Sequence, residues 1–501
     1  MSDLSWADSF SGIEAGDVVV VQAHSQFRGL IAGLVQRMRG AGAVIYLYCG
    51  NKEEKKFYQE RFADLYEDVI IADHIYGREE CHDQPEEILQ TARQFEARLG
   101  LTYNELILND RHYGRGFALG GYHHPRSRMS EESKYLDAVV AINRTLGFWF
   151  EEFQEKQPKL GLLFGSMSNV VARNLGISVR VPTLLRFENR YYWAHDSQQQ
   201  SPLIKQYYGR AQPDEDIKFK EAYGAYKSYR AKIKGRIGLR VLFRQIGMIT
   251  LRTAYWRLRG YEKGKGYYVS EFWKLYWRQR RDSNAMMAAD LVKLEDLKGQ
   301  PFVYFPLASE PESLQSLSPE YISQLTCIAS VARDLPAGVV LVVKEHFAAA
   351  GRRPEDFYGQ IADFKNVRIA NIAEDGVALM RHSAAVVIIT GTSGLEAAIS
   401  GKPVITYGRR NIYNFLPHVD VITEETELKP ALQKILIDGI DSAQAQFDGE
   451  RFLKAMVDMS FSLESFSPWK PDEIEQGDVD LSYQALLGTA TNVALEKTNL
   501  S

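Results

Sequence analysis

Between Pro301 and Tyr407 short apolar runs alternate with helix-like stretches, and this rhythm restricts the fold more than any other feature of the chain. Strands are expected at Phe302 to Phe305, Val339 to Val343, Val367 to Ala370, Ala385 to Thr390 and Val404 to Tyr407. Helices are expected over Tyr321 to Asp334 and Asp356 to Phe364. Apolar runs of this kind without polar alternation suit strands covered on both faces. Strands separated by helices join through crossovers rather than hairpins, which predicts a parallel, doubly wound sheet. Such sheets take ligands outside the carboxyl ends of their strands.

The same rhythm opens the chain. After Asp17 the run Val18-Val19-Val20-Val21 reads as a buried strand, the loop Gln22 to Gly29 follows, and a helix through Arg39 leads to a second strand, Val44 to Tyr48. That is one βαβ unit. Leu136, Val139, Ile142, Leu146, Trp149 and Phe153 recur at intervals of three and four, the stripe of an amphipathic helix. Leu162-Leu163-Phe164 reads as a strand entering the turn Gly165 to Asn169 and a helix carrying Val170, Val171 and Leu175.

At 501 residues the chain is too long for a single core, so two lobes are expected. Residues 1–200 read as an N-terminal Rossmann-like lobe, 201–295 as a basic, aromatic helical insertion, 296–465 as a C-terminal Rossmann-like lobe and 466–501 as a tail. Hydrophobic residues at 45% and charged residues at 25% suit a folded domain and exclude wholesale disorder. The start, Met1 to Asp8, lacks a basic region followed by an apolar core, and no segment reaches the length of a membrane span. A cytoplasmic protein is expected. Cys49, Cys81 and Cys327 have no C-x-x-C spacing and read as reduced packing residues.

Charge is unevenly placed. Lys218 to Arg281 holds eighteen Lys or Arg against three Glu, a balance of +15, which leaves −19 for the rest of a chain of net −4. Tyr255, Trp256, Trp273 and Trp277 interleave with Arg here. This suits the anionic inner face of a membrane, with a solvated helical hairpin as the plain alternative. No nucleic-acid-binding module is present, so nucleic acid is not expected as a partner.

The sharpest local motif is Thr390-Gly391-Thr392-Ser393-Gly394-Leu395-Glu396, which follows a buried strand and precedes Gly401-Lys402-Pro403-Val404-Ile405. Its helix start offers free N–H groups and a positive dipole end to a phosphate. The plain alternative is helix capping by Thr392 or Ser393, with Glu396 closing a capping box.

From about Phe302 to Val419 these segments resemble the bacterial capsule polysaccharide synthesis family, which includes retaining Kdo transferases of GT-B architecture. The resemblance rests on Gly391 to Ala397 with Gly401 to Ile405, on Glu310-Pro311-Glu312, and on Lys344-Glu345-His346-Phe347. Glu310 and Phe347 stand where family members commonly carry Gln and Pro.

The resemblance implies a GT-B-like α/β fold and a glycosyltransferase acting in surface polysaccharide synthesis, with a nucleotide sugar such as CMP-Kdo as donor. A growing, lipid-linked glycan is the implied acceptor, and no cofactor or metal is implied. Lys344, Gly391, Thr392, Ser393, Gly394 and Glu396 would hold the donor. Glu312, Glu310 and His346 would act in catalysis, the carboxylates at the anomeric carbon and His346 at the leaving phosphate.

In the first lobe Asp110 is a reserve general base, and Arg111, Arg115, Arg186 and Asn189 are acceptor contacts. His123 and His124 lack a spaced third ligand, against a metal site. Alternatives are a nucleotide-sugar epimerase, a UDP- or GDP-sugar transferase of the same fold, and a non-catalytic carbohydrate-binding subunit.

Overall fold

In the computed structural model the described residues are 8–72, 84–109, 134–185, 187–217, 235, 237–261, 269–308, 321, 323–346, 349–350, 352–354 and 356–490. The chain divides into two compact units, Met1–Ile107 with Lys134–Arg210 and Ala455–Ser501, and Leu108–Ser133 with Ala211–Lys454. The α/β architecture with two parallel-dominated sheets is the one expected.

The first unit contains β1 (Val18–Gln22), α1 (Arg28–Gly40), β2 (Val44–Cys49), α2 (Lys52–Phe62), β3 (Asp68–Ile71), α3 (Pro85–Leu99) and α4 (Tyr135–Lys156). It continues with β4 (Leu160–Leu162), α5 (Ser166–Asn174), β5 (Ser178–Leu184), β6 (Arg190–Ala194) and α6 (Leu203–Arg210). With the late strand β13 (Phe461–Ser462) these form a seven-stranded sheet of order β13-β6-β5-β4-β1-β2-β3. Its strands from β5 to β3 are parallel, while β6 and β13 are antiparallel additions. β-Branched side chains at Val18 to Val21 and Val44–Ile45 favour strands. Val19, Val21, Ile45 and Leu47 pack with Leu30 and Leu34 of α1, each contributing about 1.5–3 kcal/mol by burial.

Two local readings need correction in this unit. β4 ends at Leu162 rather than running on to Phe164, because Leu163 turns to φ 61° and Phe164 folds back over Gly161. A side chain at Gly161 would come within 2.3 Å of that ring. Residues 466–501, set apart above as a tail, supply through residue 490 part of this core. There α15 (Gln476–Leu487) packs on α1, Arg37 meets Asp480 at 2.7 Å, and the Trp193 indole donates to the Ser482 carbonyl at 3.0 Å.

In the second unit α7 (Leu239–Leu258) and α8 (Val269–Ala288) form a helical hairpin ahead of the sheet. Then come β7 (Phe302–Pro306), α9 (Gln324–Asp334), β8 (Val340–Lys344), α10 (Phe357–Ala362), β9 (Val367–Ala370) and α11 (Gly376–His382). They are followed by β10 (Ala385–Ile388), α12 (Thr392–Ile399), β11 (Val404–Thr406), β12 (Val419–Val421), α13 (Leu428–Gln433) and α14 (Ser442–Met459). The six strands lie in the order β12-β11-β10-β7-β8-β9, every neighbouring pair parallel. Val303, Phe305, Leu341, Val343, Val387 and Ile405 are buried in one cluster with the crossover helices. Cys49 and Cys327 are buried thiols, and Cys81 lies outside the described residues.

A buried polar cluster closes the first unit. Arg180, fully buried, donates to Asp8 at 2.6 Å and to the Thr489 hydroxyl at 2.8 Å, and His195 Nε2 stands 3.5 Å from the same Asp8 carboxylate. Burial and the Arg180 charge hold the His195 imidazole well below its ordinary value of 6.5, with Asp8 opposing them. In the folded chain His195 is therefore neutral, whereas in the unfolded chain it takes a proton below about pH 6.5. The unfolded state then binds more protons, so stability falls as pH drops through that value. Thermal unfolding followed from pH 7.5 down to about pH 5 should show this loss. A His195→Asn variant should show a flatter profile over the same range.

Candidate functional site

The strand order places a topological switch between β7 and β10, since the chain leads from β7 to β8 on one side and from β10 to β11 on the other. Crevices of this kind open at the carboxyl ends of the diverging strands. Three of the expected segments leave neighbouring strands at this edge: Leu307–Ala308 after β7, Glu345–His346 after β8 and Ile389–Gly391 after β10. Neighbouring strands lie about 4.8 Å apart, so these exits are within reach of one ligand.

The β10 exit has the strand-turn-helix form expected for an anion. Gly391 is the N-cap of α12 at φ 136°, a conformation that excludes ordinary side chains. Among the described residues no side-chain hydrogen bond caps this helix, and its N-cap is Gly391 rather than Thr392 or Ser393. Glu396 is buried on the helix, at 6% exposure. Among the described residues no side-chain acceptor is seen at the first-turn N–H groups of α12, and groups of this kind can receive an anion.

Gly394 has a packing reason of its own. A Cβ there would come within 2.1 Å of the Tyr413 hydroxyl and 3.0 Å of Ile388. Its lack of a side chain serves packing inside the unit. Asn411, after β11, secures the neighbouring loop by donating to the Ile389 carbonyl at 3.1 Å, the Thr406 hydroxyl at 2.8 Å and the Gly408 carbonyl at 3.1 Å. Neither Asn411 nor Tyr413 was marked by the sequence, because nothing local distinguishes them from ordinary loop residues.

The Lys-Glu-His segment separates into three roles. Glu345 is buried and accepts a two-pronged contact from Arg353 at 2.7 and 2.8 Å, a third bond from the Tyr358 hydroxyl at 2.7 Å and a fourth from the His346 N–H at 2.6 Å. Burial alone would raise the Glu345 pKa, but the Arg353 guanidinium brings it below its ordinary value. Arg353 also donates to the Ala308 carbonyl at 2.8 Å, and the Gln324 amide brackets the Ala308 peptide at 2.7 and 3.3 Å. One buried guanidinium thus ties the β7 exit to the β8 exit.

Lys344 is 7% exposed, and burial lowers its pKa to about 8 against the opposing charges of Glu345, Asp375 and Glu374. His346 is exposed at the rim. Glu310 and Glu312, with Phe347, lie outside the described residues, as do Asp110, Arg111, Arg115, His123, His124 and Arg186. In the first unit, Asn189 departs from the acceptor role expected of it. Its amide is spent on the Leu463 carbonyl and, at 3.1 Å, on the Phe466 carbonyl, where it fastens the returning C-terminal segment. Tyr191, Tyr192 and Trp193 are likewise buried and present no ring face to a sugar. Among the described residues no group of three or more side chains suits a metal ion.

Fold and strand exits together define a doubly wound α/β unit in which α12 starts at the switch point, with Gly391 as its N-cap. Over residues 238–421, which include the α7–α8 hairpin and all six strands of the second sheet, the chain matches the family described as capsule polysaccharide biosynthesis protein. No curated protein matches. Solved structures similar to this chain include UDP-GlcNAc 2-epimerase from Neisseria meningitidis bound to UDP-GlcNAc, at 10% identity, covering 88% of this chain and 98% of that one, with a TM-score of 0.27. The calicheamicin glycosyltransferase CalG4 has 11% identity, 96% and 100% coverage and a TM-score of 0.25. HepE from Anabaena in complex with UDP and glucose has 12% identity, 89% and 96% coverage and a TM-score of 0.28. Likeness at these scores carries no inference about this chain.

The assignment of Glu345 to structure and of His346 to the surface has a direct consequence. Glu345→Gln leaves the Arg353 guanidinium buried without its counter-charge and should cost about 3–5 kcal/mol. His346→Ala should change stability by less than about 0.5 kcal/mol, as exposed substitutions do. Urea unfolding of the two variants beside wild type measures the contrast, and equal midpoints would remove the structural role of Glu345.

Proposed function

We propose that the chain is a glycosyltransferase of bacterial surface polysaccharide synthesis that takes its sugar from a nucleotide donor bound at the β7/β10 switch point. The observation that carries this reading is the uncapped start of α12 at Gly391, lying within the segment that matches the capsule polysaccharide biosynthesis family. The donor phosphate would sit on the first-turn N–H groups beside Thr392 and Ser393, with His346 and Lys344 at the β8 exit, two strands away on the same edge. In transfer, the bond between the anomeric carbon and the phosphate oxygen breaks, the nucleotide leaves with the electron pair, and an acceptor hydroxyl oxygen replaces it. Glu312, with Glu310 beside it, is the carboxylate proposed for the anomeric carbon, and Asp110 is the reserve base for the acceptor proton. By the family resemblance the first donor to test is CMP-Kdo, and a lipid-linked glycan is the acceptor. Arg111, Arg115 and Arg186 remain proposed acceptor contacts.

Thermal unfolding with CMP, CDP, UDP and GDP tests the donor site, because a ligand held only by the folded chain raises its apparent stability by about 2.7 kcal/mol at a hundred times its dissociation constant. One of the four nucleotides should raise the midpoint, and no rise with any of them would exclude the reading. Lys344 adds a pH dependence. Its ammonium is present below about pH 8 and lost above it. If it contributes to phosphate binding, affinity should fall as pH rises through that value, and Lys344→Met should flatten the profile. Glu312→Gln should keep nucleotide binding and lose turnover, whereas near-normal transfer would exclude Glu312 as the carboxylate.

A further inference from the structure

The α7–α8 hairpin carries large apolar side chains on the side turned away from the protein. Along α7, Leu242 and Thr253 are buried, and the opposite side presents Arg240, Arg244, Met248, Leu251, Tyr255 and Leu258 at intervals of four, four, three, four and three. Such spacing keeps one helix face. Leu251 is 74% exposed and Leu258 87%, with Phe243 at 64% on the flank of the same face. Such exposure of bulky aliphatic groups marks an interaction surface rather than ordinary surface composition.

On α8 the exposed positions include Trp273, Trp277 and Arg281, one turn apart, with Lys274 beside Trp273, while Glu271, Leu275, Ser283 and Met286 are buried. The Trp273 indole donates to the Thr250 hydroxyl at 3.3 Å, which ties α8 to α7. Trp256, which the sequence offered as a third interfacial tryptophan, is only half exposed and has the Arg252 guanidinium over its ring at 4.6 Å. α7 contains four arginines and no acidic residue.

We propose that this hairpin lies flat on an anionic lipid surface, with Phe243, Leu251 and Leu258 inserted among the acyl chains and the arginines at headgroup level. The interleaving of cations with exposed aliphatic and indole groups fits that partner on both counts. A second copy of the chain is a poorer fit, since pairing through α7 would bury its arginines with no acidic residue of that helix to meet them. A nucleic acid would satisfy the arginines but leave the leucines in water. The inference concerns a surface separate from the donor site, so nucleotide binding by the variants below reports on the proposed function independently.

The test uses the full chain with phosphatidylcholine vesicles that contain or lack phosphatidylglycerol. Wild type should sediment with the anionic vesicles at least about tenfold more strongly than with the neutral ones, and added salt should weaken this binding in part, because insertion is not screened. The substitutions Phe243→Glu, Leu251→Glu and Leu258→Glu together should lower binding about tenfold or more. Since all three side chains are exposed, the thermal midpoint and any nucleotide-induced rise should stay at wild-type values. Equal sedimentation of the triple variant and wild type would overturn insertion, as would absence of wild-type binding to either vesicle. Concentration-dependent dimerisation, or binding to duplex DNA, that is lost in the triple variant would assign the face to that partner instead.

Discussion

Parallel pairing is the constraint on which the rest of the second unit depends. All neighbouring strands from β12 to β9 run the same way, so every connection must cross back over a face of the sheet and every strand delivers its carboxyl end to one edge. Residues far apart in sequence, Ala308, Glu345 and Gly391, are thereby brought to that edge without any contact specific to a ligand. The switch between β7 and β10 then leaves a gap between diverging connections. Chemistry at the edge follows from which side chains the strand exits happen to carry, and these segments lie within the range that matches the family.

An edge assembled from loop segments needs fixing, and the buried Glu345–Arg353 pair does this for two of the exits. Its desolvation cost is offset by complete satisfaction: the carboxylate accepts from Arg353, Tyr358 and the His346 backbone, and the guanidinium also reaches Ala308. Just beyond β8, Glu345 is buried while the next residue, His346, is exposed at the rim. The buried pair therefore sits directly beside the solvent-facing histidine.

Much of the second sheet was legible because strands buried on both faces are written as short apolar runs. β7, β8, β9, β10 and β11 fall where Phe302, Val339, Val367, Ala385 and Val404 begin such runs, with ends shifted by one or two residues. Long-range features were not legible. β13 has two residues, Phe461–Ser462, too few for any periodic signal, and its place is set by pairing with Tyr191 and Arg190 more than two hundred residues earlier. Asn189 looked like a ligand-binding amide because its partners, the Leu463 and Phe466 carbonyls, are equally remote. The burial of Glu345 was not legible for the same reason at shorter range, since its partner Arg353 lies eight residues on.

Glycines in the phosphate-like turn show how one motif can hold two kinds of necessity. Gly391 is required by its own backbone, because φ 136° places it where an L side chain is strained whatever the surrounding space. Gly394 has an ordinary helical backbone and is required by a neighbour, since Tyr413 occupies the volume that its Cβ would need. A sequence pattern records both as glycine. Only Gly391 belongs to the conformation that exposes the α12 N–H groups, whereas Gly394 belongs to the contact that seats the helix against the loop after β11. Loss of binding on substituting Gly394 would therefore report a displaced helix, and a role in receiving the anion has to be read from Gly391 and the uncapped first turn.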